Sequence, residues 1–384
     1  MKSPTRLCKL AVIVWLTLST RFALAESTEP VNLPHTHVFT SGKGGYHTYR
    51  IPAIVLTKKG TLLAFAEGRK SGRGDAGNID MLVCRSEDLG KTWSAPQVVW
   101  DDGNNTCGNP APVVDQSTGT IWLPLTWNLG ADHESQIMAG KSKFPRRVFM
   151  THSTDDGKTW AKPTEISDTA RKPHWRWYAT GPGNAIQLTH GKHMGRLLIP
   201  CNHSDHSDAS KHPYRSHVFY SDDHGKSWKL GGVHEDKTNE SAVVELSDGS
   251  VLQAMRSYHG KNKRALSVST TGGNSFGKVT SHNALNTPVC QANILRYSFP
   301  DDAKRGSKSR ILFSSPRGKG RSHLHVWLSY DEGKTWPVIK EIHTGGAAYS
   351  NLVTLPDGRI GVLYEKDGYR TISLVTFTLE WLEK

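Results

Sequence analysis

The sequence predicts an all-β chain folded as a six-bladed β-propeller of four-stranded antiparallel blades. Three observations lead there. One octapeptide turn recurs along most of the chain, strand-like runs flank each copy, and helical periodicity is nearly absent.

The turn comes first. Ser86-Glu87-Asp88-Leu89-Gly90-Lys91-Thr92-Trp93 returns as Ser153 to Trp160, Ser221 to Trp228 and Ser329 to Trp336, and Ser269 to Phe276 is a decayed copy. The copies lie roughly fifty to seventy residues apart, the length of one supersecondary unit. In each, Asp can accept from nearby backbone N–H groups, Gly can take positive φ, and the final aromatic can fold back onto the apolar side. Strand-like runs precede the copies at Ile79 to Arg85, Arg147 to His152, His217 to Tyr220, Leu266 to Ser269 and Leu324 to Leu328. Roughly 350 residues at that unit size make about six blades. Closure needs the two chain ends to share a blade, so His35 to Thr40 should pair with Thr371 to Trp381.

The N-terminus reads as an export signal over 1–25. Lys2, Arg6 and Lys9 give a positive start, Leu10 to Leu18 an apolar run, and Ala23-Leu24-Ala25 a small-x-small cleavage pattern. Residues 26–384 then form one domain of a secreted or periplasmic protein. No segment has the roughly 20 apolar residues of a membrane-spanning helix. The net charge of +13 suits an anionic ligand. Its basic residues are spread along the chain without a basic helix or arginine-rich tract, which argues against nucleic acid. Cys84, Cys107, Cys201 and Cys290 match no zinc spacing and read as isolated buried thiols, with one disulfide permitted by export. His203, Asp205, His206, Asp208 and His212 are too irregularly spaced for a metal centre.

Several segments carry candidate chemistry. Tyr49-Arg50-Ile51-Pro52 opens the first full blade. Glu67 to Gly77 is a glycine-rich loop bearing Arg69 and Asp75. Ser315 to Ser322 holds Arg317 and Arg321, Gly345 to Leu352 leads Tyr349 into a strand, and Leu363-Tyr364-Glu365 follows. Between them, Asn239 to Leu246 and Asp248 to Ser257 flank a turn at Asp248-Gly249. Glu240 and Arg256 are equidistant from Asp248, so an antiparallel hairpin lets both reach the same end of a blade.

With these octapeptides and this ordered set, the chain resembles the sialidase family, and the turns are its Asp-boxes. Asp-boxes brace blades away from the active site, so they speak for the fold more than for the activity. The resemblance implies an exo-α-sialidase acting on sialylated glycans. Sialic acid bears a carboxylate on its anomeric carbon, so arginine forks should hold that group and the nucleophile should not be another anion. Sialidases meet this with a tyrosine, outside the usual two-carboxylate scheme. By resemblance, Arg50, Arg256 and Arg321 bind the carboxylate, with Arg317 the alternative to Arg321, and Glu365 braces Arg50. Tyr349 is the nucleophile and Glu240 its base, with Glu245 the alternative. Asp75 is the acid/base and Arg69 touches substrate. Asp80, the competitor, should point into the blade.

The segment Trp177 to Gly183 resembles one that lines the far side of the pocket, and Trp127, Trp175 and Trp177 are candidates for an aglycone platform. The chemistry requires no metal or organic cofactor. A trans-sialidase would share every residue named, and a non-catalytic glycan-binding propeller is the remaining alternative.

Overall fold

The strand Thr48–Leu56 is buried along nearly its whole length, and its side chains alternate between two apolar layers. Ile54 packs in a cluster with Phe39, Leu62, Ala64, Leu82 and Leu374. Its neighbours Ala53 and Val55 face another, with Leu63, Phe65, Met81 and Val83. Leu62–Arg69 and Ile79–Ser86 split the same way, residue by residue. A strand covered on both faces reads as a continuous apolar run, which is why the sequence shows so little hydrophobic–polar alternation here. Each such Leu, Ile or Phe contributes on the order of 1.5–3 kcal/mol by its burial.

The computed structural model describes residues 33–208 and 211–384 together with Met1. The expected export signal over 1–25 lies, Met1 apart, outside the described residues. The architecture is all-β: consecutive strands form antiparallel meanders grouped into sheets of seven, nine, five and four strands. His35–Thr40 pairs antiparallel with Thr371–Phe377, so the ends of the described chain share a sheet as expected. The expected last strand is shorter than the sequence indicated. Thr378 caps a helical turn over Leu379–Glu383, its hydroxyl accepting from the Trp381 N–H, and the strand stops at Phe377.

The hydrogen-bonded sheets are not equal four-stranded units. A parallel bridge from Ile79 to Thr106 joins two meanders into the nine-stranded sheet. The 17-residue strand Val338–Thr354 pairs with Ser322–Ser329 along one part and Ile360–Lys366 along the other, making the seven-stranded sheet.

All five octapeptides form one turn geometry. In the first, the Ser86 hydroxyl donates to Asp88 (2.8 Å) and accepts from the Gly90 N–H (2.8 Å), and Asp88 accepts the Thr92 N–H at 2.9 Å. The same pattern recurs at Ser153, Ser221 and Ser329. The decayed copy keeps it with a hydroxyl in place of the carboxylate: the Thr271 hydroxyl accepts the Ser275 N–H at 2.9 Å. Two successive residues take positive φ in every copy, Leu89 (60°) and Gly90 (86°) in the first and Gly272 and Gly273 in the decayed one. Trp93, Trp160, Trp228, Phe276 and Trp336 each fold back onto a different apolar cluster.

Candidate active site

Backbone irregularity places three of the expected residues at one end of the sheets. Pairing registers shift between Arg50 and Ala53, between Thr238 and Ser241 around Glu240, and between Ala347 and Ser350 around Tyr349. Such bulges turn a side chain out of the regular pleat and are common beside active sites. Ile51 is a β-branched residue at φ 60°, a strained conformation. Its N–H donates to Glu365 at 2.9 Å, which helps to hold it there.

One cavity is lined by Arg50, Arg69, Asp75, Glu240, Arg256, Arg321 and Tyr349. At its floor the Tyr349 hydroxyl donates to Glu240 Oε1 at 2.5 Å. Glu240 Oε2 accepts from Arg256 Nη1 at 2.7 Å, and the same nitrogen lies 3.3 Å from the Tyr349 oxygen. Burial first, and then the Glu240 carboxylate, hold the Tyr349 hydroxyl well above its ordinary value, so it stays protonated at neutral pH.

Glu365 lies behind this cavity. It accepts from Arg50 Nε at 2.6 Å and, through its other oxygen, from the Tyr349 backbone N–H at 3.1 Å. One buried carboxylate therefore positions both the first arginine and the tyrosine. The guanidinium carbons of Arg50 and Arg321 stand 5.4 and 5.5 Å from the Tyr349 ring centroid. Burial works against the charge on Arg50 and Arg256, but Glu365 and Glu240 outweigh it, and both stay cationic. Among the described residues Arg256 Nε is buried without a hydrogen-bond partner.

Asp75 sits at the rim with a side chain 66% exposed, 2.8 Å from Arg69 Nη2 and 3.9 Å from Arg50 Nη1. Burial would raise its carboxyl, but Arg69 and then Arg50 outweigh that and hold it below the ordinary carboxylate value.

The alternatives fall elsewhere. Asp80 is fully buried in the strand Ile79–Ser86, accepting from the Tyr46 hydroxyl at 2.5 Å and paired with Lys70 at 3.0 Å. Glu245 accepts the backbone N–H groups of Thr189 and His190, both at 2.8 Å, away from the cavity. Arg321 lines the cavity and donates to the Tyr369 hydroxyl at 2.9 Å, whereas Arg317 is not part of the lining.

Of the three tryptophans expected to form a platform, only Trp177 lines the cavity. It lies beneath the Arg146 guanidinium, 4.2 Å away. Trp175 instead stacks in the core on His203, with ring centroids 3.4 Å apart, and Trp127 is buried with its indole N–H on Asp102 at 2.7 Å. Aromatic packing in the core took these two. His203 is fully buried and also meets His217 at 2.9 Å, so it belongs to the interior and not to an exposed loop. Cys84, Cys107, Cys201 and Cys290 are all free and buried.

Other cavity residues carried no sequence signal. Arg146 follows Lys141-Ser142-Lys143-Phe144-Pro145, which reads as a basic surface loop, yet it is buried, and that burial pushes its guanidinium down to about 10. Glu134, raised by burial, accepts from the Tyr214 hydroxyl. Asn109, Asn202, Asn239 and Tyr258 complete the polar walls.

The chain matches the BNR repeat-like domain family over residues 60–362. It is 36% identical over 356 residues to a sialidase of Micromonospora viridifaciens, covering 89% of this chain and 53% of that protein, so it spans about half that relative's length. It is 30% identical over 381 residues to an exo-alpha-sialidase of Aspergillus fumigatus, covering 88% of this chain and 86% of that one. Among solved structures, the Hadza microbial sialidase Hz136 superposes with a TM-score of 0.81 at 26% identity, covering 91% of this chain and 69% of that chain.

Proposed function

The chain belongs to the sialidase family, and from that membership and the cavity we propose that it is an exo-α-sialidase releasing terminal sialic acid from glycans with retention. The observation that carries this reading is the Tyr349–Glu240 hydrogen bond of 2.5 Å, set among Arg50, Arg256 and Arg321.

In the proposed reaction the three guanidiniums hold the sugar carboxylate, which fixes the anomeric carbon above Tyr349. Glu240 takes the phenolic proton as the Tyr349 oxygen forms its bond to that carbon. The bond from carbon to the glycan oxygen breaks, and Asp75 gives its proton to the departing oxygen. Asp75 then takes a proton from water, whose oxygen displaces Tyr349, and Glu240 returns the proton to the phenolate. Two displacements at one carbon leave its configuration unchanged. The bound carboxylate also prepares the acid: its charge offsets the pull of Arg50 on Asp75, so the Asp75 proton affinity rises with substrate in place.

The same reading takes the meanders as six propeller blades around the cavity and 1–25 as an export signal that delivers the domain outside the cytoplasm. Incubation with sialyllactose tests the activity. Free sialic acid with the α configuration, observed by NMR before mutarotation, is expected. Release of the β anomer would contradict retention, transfer to an acceptor sugar without release would favour the trans-sialidase, and no turnover would remove the enzyme reading.

A further inference from the structure

We propose that Glu67 is a positioning residue for the acid step, acting through Arg69 to fix the loop that presents Asp75. This inference rests on Asp75 being the acid/base of the proposed reaction.

Arg69 has five N–H donors, and the protein uses all of them. Nε and Nη2 donate to Glu67 Oε2 at 3.0 and 2.6 Å, and Nη2 also meets Asp75 at 2.8 Å. Nη1 donates to the backbone carbonyls of Arg73 and Gly74. A side chain expected to touch substrate is therefore fully engaged in holding the loop that leads to Asp75. Glu67 anchors the other end. Its side chain is 3% exposed, and its second oxygen accepts the Asn109 N–H at 2.9 Å from the neighbouring strand region. Gly108 makes room for it: a Cβ there would stand 2.4 Å from Glu67 Oε1. Most of the loop itself is exposed and glycine-rich, so without this guanidinium little else ties Asp75 in place. Glu67 also offsets the charge of Arg69, limiting how far Arg69 depresses the Asp75 carboxyl.

A purely structural role would lower activity on every substrate alike. A positioning role predicts a split by leaving group, because a sugar alkoxide needs protonation and a nitrophenolate does not. Wild-type turnover of sialyllactose is measured first, and its absence would count against the proposed function itself. With active wild type, Glu67→Gln under single-turnover conditions should lose roughly ten- to a hundredfold on sialyllactose and stay near wild type on nitrophenyl sialoside. The alkaline limb of its pH profile should move to lower pH, since the uncompensated Arg69 stabilises ionised Asp75. Equal losses on both substrates with an unmoved limb, in a folded protein, would overturn the proposal. Should Glu67→Gln not fold, Arg69→Lys serves: its ammonium keeps the charge but cannot make all five bonds. It should show the same split, and equal losses there would overturn the proposal as well.

Discussion

Glu240 and Arg256 meet at 2.7 Å across a hairpin whose pairing runs Ser241 to Met255 and Ala242 to Ala254. The arginine therefore both neutralises the Glu240 carboxylate and stands beside the Tyr349 hydroxyl. Replacing one partner leaves a largely buried charge without its counterion.

Arg256→Lys tests the fork. An ammonium can still pair with Glu240, but it cannot also present two parallel N–H groups to a carboxylate. Activity should fall by roughly two orders of magnitude, near 3 kcal/mol of transition-state stabilisation. Near wild-type kcat/KM would remove Arg256 from carboxylate binding.

Asp75 and Asp80 separate by leaving-group chemistry. Asp75→Ala should lose roughly 10²- to 10⁴-fold on natural sialoglycans while keeping much of its single-turnover rate on an activated aryl sialoside. Asp80→Ala should affect both substrates alike, because it removes the buried partner of Tyr46 and Lys70. Equal loss on both substrates in a folded Asp75→Ala protein contradicts the acid role.

Glu332 predicts acid sensitivity. It accepts from Arg296 at 2.5 Å and from the Ser247 N–H and hydroxyl at 2.9 and 2.7 Å, tying the last octapeptide to the turn of the neighbouring sheet. Burial would raise its carboxyl, but Arg296, Ser309 and Ser247 outweigh it and bring it down from 4.5 to about 2. A depressed folded value means the stabilisation is complete above the unfolded value and is lost as pH falls through the folded one. The thermal midpoint should therefore drop between about pH 4.5 and 2. Glu332→Gln should have a lower midpoint at neutral pH and a shallower acid decline, measured by calorimetry. An unchanged slope would assign the decline to other carboxylates.

The turns and most of the residues that line the cavity were legible because their signals are local. An Asp-box closes its hydrogen bonds within a few residues, as Ser86, Asp88, Gly90 and Thr92 do. The Glu240–Arg256 pairing followed from one hairpin turn. Arg50, Asp75, Arg321, Tyr349 and Glu365 were singled out because their short contexts resemble the family's motifs. What stayed hidden depends on contacts between distant strands. No local pattern announces the bulges at Arg50, Glu240 and Tyr349, or the burial of Arg146 under a basic loop. Nor does Arg69 reveal in sequence that Glu67 and two loop carbonyls take its donors. The merged sheets arise likewise from a parallel bridge between Ile79 and Thr106, which no turn signal marks.

Covalent trapping shows whether the Tyr349 oxygen forms the bond to the sugar. A 3-fluoro sialosyl fluoride forms the glycosyl-enzyme quickly and releases it slowly, so the adduct can be digested and located by mass spectrometry. The label is expected on Tyr349 in the wild type and absent in Tyr349→Phe, which lacks the bonding atom. A label on Glu240 or Asp75, or an equal label in Tyr349→Phe, would contradict it.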